Sequence, residues 1–462
     1  MEFDENLAEK PNTCYCLIPH PNRAAFMIVK EDGKWVLPSL PYTGEWFAST
    51  FAEIGDQILS RYGLRVTVLR RLQRGKDFVF CELEVHRRSG DTSYEARWYD
   101  IEAHQKSGGL GAKANEYLDQ WFLDKTATVL PIGRPPWEHT GWFMEAMTWS
   151  KGVMAQHNIR QLGAPKQVMV GAFSCVLSIP SDSGTLIFKA SQGDKPSETS
   201  ITRELGSRWP SRIMPLLETD PSKNWMLMKD YPSLGYRTLK ESEYADAARG
   251  FSELLIDTSS SLEQWREMNC PDFSLDKIEA FSREFSQRTG LFESGGAPME
   301  KEEIEMLVKF VEEMGAKCSS LADFAIPETL GNLDFRVGNI ASGKNGFIYF
   351  DWQESVITHP FFCVLNMFDE FSDSDFPSLG EAVQESQQSV TKLSVQNAFL
   401  EPFTEFEPTE RLEKAFEIAK LIQPVVQLKR WFEKLEKLEQ GSFWVKEFAV
   451  NMHLWSKFYL TR

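Results

Sequence analysis

Apolar residues recur at three- and four-residue spacing in several long stretches, the period that places them on one face of a helix. Ile304, Leu307, Val308, Val311 and Met314 within 299–321 are a clear instance. The same period runs through 241–265, 275–288, 359–371, 389–400, 410–421, 425–439 and a last stretch to 458. Nearer the N-terminus, 46–62 sets Phe47, Phe51, Ile54, Ile58 and Leu59 on one side, and Gly63 stops it. Shorter apolar runs read as strands: 13–19, 24–30, 65–72, 77–86, 96–101, 168–170, 175–179, 186–189 and 225–231. Glu31-Asp32-Gly33-Lys34 is a hairpin turn between two such runs. The segment 131–136, Pro-Ile-Gly-Arg-Pro-Pro, breaks regular structure and marks a domain boundary. The helical stretch 138–158 that follows carries Trp142, Phe143, Met147, Trp149 and Met154, expected as core between domains. The fold class predicted is α+β.

Composition narrows the function classes. A chain of 462 residues has room for two or three domains. Its 67 acidic against 50 basic residues give a net charge of −17, which argues against nucleic acid as the main partner. An acidic surface suits a cationic small molecule better. No N-terminal stretch pairs a basic start with an apolar run, and no apolar run reaches about 18 residues, so neither a signal peptide nor a membrane partner is expected. Cys14, Cys16, Cys81, Cys175, Cys270, Cys318 and Cys363 form no Cys-x-x-Cys pair and read as reduced thiols of a cytoplasmic protein. Neither they nor the seven histidines have zinc spacing.

The candidate chemistry lies at 330–353. Asp334, Asn339 and Asp351 follow one another at intervals of five and twelve, and Asp351 closes the aromatic run 347–350, an apparent buried strand. Phosphoryl transfer needs a carboxylate to take the acceptor's proton and hard oxygen ligands for Mg²⁺. Asp334 fits the first role, and Asn339 and Asp351 the second. Leu-Gly-Asn-Leu-Asp-Phe-Arg-Val-Gly-Asn-Ile followed by Phe-Asp-Trp resembles the catalytic loop and metal strand of the aminoglycoside phosphotransferase and choline kinase family. Asp334, Gly338, Asn339, Asp351 and Trp352 fit that pattern in register. Asn332 stands where the family has His, Gln353 where it has Glu, and Cys363 near the place of a later Asp.

The resemblance implies a bilobal protein-kinase-like domain with a β-rich N-lobe and a helical C-lobe, using ATP and Mg²⁺. Gly171 and Ser174 are then the loop over the phosphates, Lys189 the phosphate grip and Glu204 its orienter, with Glu198 the competing acid. Met228 to Asp230 would meet the adenine edge, and Arg336 would add positive charge near the transferring phosphoryl group. Acceptor candidates are Asp369, Glu370, Trp431, Trp444 and Trp455, which would suit an ammonium or guanidinium compound.

The order of strands and helix before residue 130 resembles a Nudix domain. Counting back from Gly63, the places of that family's box hold Arg61, Ser60, Gln57, Asp56, Ala48 and Tyr42. Asp56 is the one acid among them, so no Nudix hydrolysis is expected. The division expected is 1–135 as a Nudix-like α/β sandwich lacking its box, 136–230 as N-lobe and 231–462 as C-lobe. The leading expectation is a kinase acting on a hydroxyl of a small molecule, with a homodimer as the expected assembly. A pseudokinase-type protein that binds a nucleotide or metabolite is the alternative.

Overall fold

The computed structural model describes residues 13–41, 49–74, 78–88, 94–107, 112–126, 131–192, 198–231, 241–293, 299–344, 346–369, 385–439, 442, 445–446, 449–453 and 456. The chain divides into two compact units of mixed α and β structure, Met1–Gln192 with Lys437–Lys446, and Gly193–Glu436 with Glu447–Arg462.

In the first unit, β1 (Thr13–Leu17), β2 (Ala25–Glu31), β3 (Lys34–Val36), β4 (Ser39–Pro41), β5 (Leu64–Arg74), β6 (Phe78–Arg88) and β7 (Ala96–Asp100) build two sheets. Their orders are β4-β1-β6-β5, with β1 parallel to β6, and β3-β2-β7. All of β1 and Ala25–Val29 of β2 are buried, which explains why both read as unbroken apolar runs rather than alternations. The helix Ser49–Tyr62 buries Ile54 and Ile58 and leaves Leu59 half-buried, while the side chains of Phe47 and Phe51 lie outside the described residues. Gly63, at φ 62°, ends it by bonding back to the Leu59 carbonyl.

β8 (Lys166–Val170), β9 (Ser174–Ser181) and β10 (Gly184–Ser191) form an antiparallel ladder in the same unit. The buried Gln167 amide donates to the Val68 carbonyl at 2.9 Å and accepts from the Val68 N–H at 2.8 Å, which ties β8 to β5. The expected aromatic stripe lies on the helix Trp142–Gln156. There Trp142 and Trp149 meet Phe188 of β10 edge-on, and Phe143 covers His86 of β6.

A buried network of charges crosses this unit. Glu82 of β6, with its side chain fully enclosed, pairs with Arg70 Nε and Lys125 Nζ, each at 2.6 Å. Arg70 also reaches Asp124 at 2.7 Å, and Asp124 receives Arg134 at 3.0 Å. Arg134 grips both oxygens of Glu439 at 2.8 and 2.9 Å, so residues from the late segment Lys437–Lys446 close the network. Beside it Gly133 has φ 84°, and a Cβ there would lie 2.6–2.8 Å from the backbone of Lys437, Leu438 and Glu439.

The second unit holds β11 (Leu216–Asp220), β12 (Trp225–Lys229), β13 (Asp272–Phe273), β14 (Thr329–Asn332), β15 (Ile340–Gly343), β16 (Gly346–Tyr349) and β17 (Ser355–Thr358) among its helices. β11 pairs with β12, β15 with β16, and β17 lies between β13 and β14. The helices expected over 410–421 and 425–439 are one, Thr409–Leu435, with Pro424 inside it. A proline removes one backbone donor, but Ile422, Val425, Val426 and Leu428 are all fully buried around it, and packing on every side holds the helix together. The stretch 299–321 is instead divided into Lys301–Gly315 and Cys318–Leu321, and 241–265 into Glu241–Ser259 and Leu262–Glu267. All seven cysteines are buried and free. Among the described residues no helix is long and apolar enough to cross a membrane.

Gly331, in the centre of β14, has no space for a side chain. A Cβ would stand 2.3 Å from the Cys363 sulfur and 2.8 Å from the Thr358 methyl carbon. Gly331→Ala should therefore lower stability by about 1–3 kcal/mol through overpacking. Urea unfolding checks this; a midpoint equal to wild type would show that the β14 layer gives way freely.

Candidate active site

The segment from β14 to β17 is held together by its own polar groups. Asn332, the last residue of β14, accepts the Asp334 N–H on Oδ1 at 2.9 Å and donates Nδ2 to the Asp351 carbonyl at 2.9 Å. One side chain thus joins the backbone of both expected acids, a structural duty performed at the position where the resembled family carries His. Cys363, fully buried, packs against the neighbouring Gly331. A second set of bonds starts from Asn339, which ends the short turn Val337–Asn339. Its Nδ2 donates to the Asp334 carbonyl at 2.8 Å and to Asp334 Oδ2 at 3.1 Å, while its own carbonyl accepts from Phe350 N–H at 3.1 Å. Phe335 stacks face to face on Phe251 of the helix Glu241–Ser259 at 3.7 Å and seats the loop in the core.

Asp351 lies two residues beyond β16 with φ 61° and ψ 61°. Asp is one of the few side chains that adopt this left-handed conformation routinely. It turns the chain sharply into the turn Trp352–Glu354, where Trp352 is buried and Glu354 faces inward.

The carboxylate of Asp334 is about a quarter exposed and flanked by two guanidinium groups. Arg336 Nε lies 3.4 Å from Oδ2, and Arg430 Nη2 lies 3.3 Å from Oδ1. Both distances exceed the 2.7–2.9 Å common for charged hydrogen bonds, so the oxygens keep capacity to accept a further proton donor. Arg430 comes from the long helix Thr409–Leu435; its Nε reaches Glu354 at 3.0 Å and its Nη1 reaches Gln427 at 3.0 Å. Lys434, one turn on, pairs with the other Glu354 oxygen. Burial alone would raise the Glu354 carboxyl, but the charges of Arg430 and Lys434 prevail and hold it at about 2. Burial likewise works against the Lys434 ammonium, which stays below its ordinary range despite Glu354.

Arg430, Glu354 and Lys434 were not among the sequence candidates. Their spacing alone was no signal, because only the fold shows that the face carrying the two cations is buried. Two cations four apart on one helix face repel, and Arg430 and Lys434 are mostly buried, so a carboxylate from another element must lie between them.

The other candidates are distributed as follows. Gly171 N–H bonds to the Ser174 carbonyl at 2.8 Å, so 171–174 is a tight turn between β8 and β9, and Trp137 Nε1 donates to the Gly171 carbonyl at 3.0 Å. Lys189 is buried on β10. In the second unit Glu204, on the helix Glu198–Arg208, accepts from Arg208 Nε at 2.8 Å and from Gln264 at 3.0 Å. Glu198 is the buried acid of that helix, and Glu204 is partly exposed. Met228 is buried on β12, and Asp230 follows that strand, exposed. Trp431 is half-buried. Glu370, Trp444, Trp455 and the side chain of Asp369 lie outside the described residues.

No protein-family profile matches the chain, and no curated protein does. Among solved structures it is similar to an ethanolamine kinase of Plasmodium vivax, at 11% identity over 74% of this chain and 93% of that one, with a TM-score of 0.46. It is also similar to a choline/ethanolamine kinase family protein from Mesorhizobium loti, at 12% identity over 69% and 95% with a TM-score of 0.45. A third is a choline kinase from Cryptosporidium parvum, at 12% identity over 64% and 90% with a TM-score of 0.43.

Proposed function

We propose that this chain is an ATP- and Mg²⁺-dependent phosphotransferase that phosphorylates a hydroxyl of a small molecule. The observation that carries the reading is the bond from Asn339 Nδ2 to the Asp334 carboxylate, reinforced by Asn332 joining the backbone of Asp334 and Asp351. It supports one base and two oxygen ligands held in a common frame. In this reading Asp334 accepts the proton of the acceptor hydroxyl. Because Asn339 spends its amide nitrogen on Asp334, its Oδ1 is the atom left for a metal, with the Asp351 carboxylate as the second ligand. A carboxylate and an amide oxygen are the hard donors Mg²⁺ takes alongside phosphates and water. When bound, Mg²⁺ supplies charge neutralisation on the nucleotide phosphates. Lys189 grips those phosphates, Arg336 adds positive charge at the transferring group, and the turn 171–174 covers the nucleotide.

The same reading takes 136–230 and 231–462 as kinase-like lobes and 1–135 as a Nudix-like domain without hydrolytic function. That last part is supported by Asp56, the one acid of the degenerate box, being exposed and paired with Lys166 at 2.9 Å. The test is calorimetry with Mg²⁺ and ATP, followed by ATP consumption over a panel of choline-like amines, sugars and amino-acid derivatives. The expected result is Mg²⁺-dependent nucleotide binding and acceptor-dependent consumption abolished by EDTA. Binding without turnover over the whole panel would favour a nucleotide-binding protein, and absence of both would overturn the proposal.

A further inference from the structure

The guanidinium of Arg430 touches both halves of the candidate site at once. Its Nη2 lies on Asp334, in the loop after β14, and its Nε lies on Glu354, in the turn three residues beyond Asp351. Its third contact, Nη1 to Gln427, fixes it to its own helix one turn back. The side chain is only 13% exposed, and that of Glu354 only 15%. Around Gln427 the helix is buried on several faces, with Val425, Val426 and Leu428 fully enclosed, so the base of the side chain has little freedom to shift. A guanidinium is a planar fork whose nitrogens keep fixed spacing, whereas an ammonium is a point charge that can serve one partner or move between two.

We infer that Arg430 is a positioning residue, a rigid strut that sets the spacing between the loop carrying Asp334 and the turn that follows Asp351. The inference rests on the phosphotransferase reading for its catalytic meaning and on the contacts alone for its mechanical one. Lys434 belongs to the same device: by sharing Glu354 it keeps that carboxylate ionised, so the strut always has an anionic anchor at its far end. The long helix thereby takes part, through Arg430, in the geometry of the reacting groups.

The test separates strut from charge. Arg430→Lys keeps the cation and loses the fork; Glu354→Gln keeps the fork and loses the anionic anchor. Amide hydrogen exchange reads the mechanical claim: 333–339 and 352–354 should exchange faster together in either variant, although they are distant in sequence. Turnover reads the catalytic one: kcat should fall about 10²-fold, the size expected for displacing a reacting group by about an ångström, with KM for ATP unchanged. The double variant should be no worse than Arg430→Lys alone, because both cut one connection. Additive losses, exchange that rises in one segment only, or an Arg430→Lys protein equal to wild type would each overturn the inference. If wild type transfers no phosphate while the two segments still loosen together, the strut stands and the phosphotransferase reading falls.

Discussion

On the proposed reading, Asp334→Ala is expected to lower kcat for acceptor phosphorylation by about 10²–10⁴-fold, the loss typical of removing a general base, and to leave nucleotide binding in place. The asymmetry follows from where the carboxylate lies. Its Oδ2 takes a bond from Asn339 and its Oδ1 faces Arg430, so it is oriented within its loop and does not lie on β10, the strand that carries Lys189. Removing it leaves Arg336 without this carboxylate and cuts the Arg430 link to the loop, while Arg430 retains Glu354 and the Asn332 and Asn339 bonds to the Asp334 backbone persist, so the loop should keep its course. Asp334→Asn is the stricter variant, because an amide fills the same space and accepts on one atom while losing basicity. Steady-state rates with saturating acceptor, beside calorimetric titration of the nucleotide, decide the matter. Unchanged turnover in Asp334→Ala would mean that another group takes the proton or that the chain transfers none.

Glu82→Ala is expected to destabilise the first unit by about 3–5 kcal/mol, the loss typical of removing one member of a buried ion network. Glu82 is fully enclosed on β6, and its two oxygens hold Arg70 and Lys125. Burial would push its carboxyl up, but Arg70 and Lys125 outweigh that and keep it below the usual carboxylate range. Its contribution is therefore present above the unfolded carboxylate range and is lost as the pH falls through the lowered folded value. Truncation leaves Arg70 buried with Asp124 as its remaining acid and leaves the Lys125 ammonium its place over the Trp121 ring. Chemical unfolding followed by tryptophan fluorescence should show an early transition assigned to the unit containing Trp121 and Trp137. A single transition at the wild-type midpoint would show that the network contributes nothing net.

Much of this was legible in residue order. The alternation of strand and helix patterns gave the mixed fold, because strands buried on both faces are short and aliphatic, and helices with one buried face are long and periodic. The five-residue interval between Asp334 and Asn339 spans one short turn, which is why the two side chains meet. What escaped was the contribution of distant segments. Nothing in the order of residues near Arg430 says that it will meet a carboxylate 76 positions earlier. The break at Pro424 was misread because local propensity counts the lost donor and cannot count the packing around it.

The Glu439 grip on Arg134 has a consequence for synthesis. Proteins leave the ribosome N-terminus first, yet the Arg134 guanidinium and the close-fitting backbone at Gly133 receive partners encoded some 300 positions later, in Lys437–Lys446. The first unit therefore stays unfinished until Lys437–Lys446 has been translated, and a fragment ending at Gln192 would carry an unsealed seam at Gly133 and Arg134.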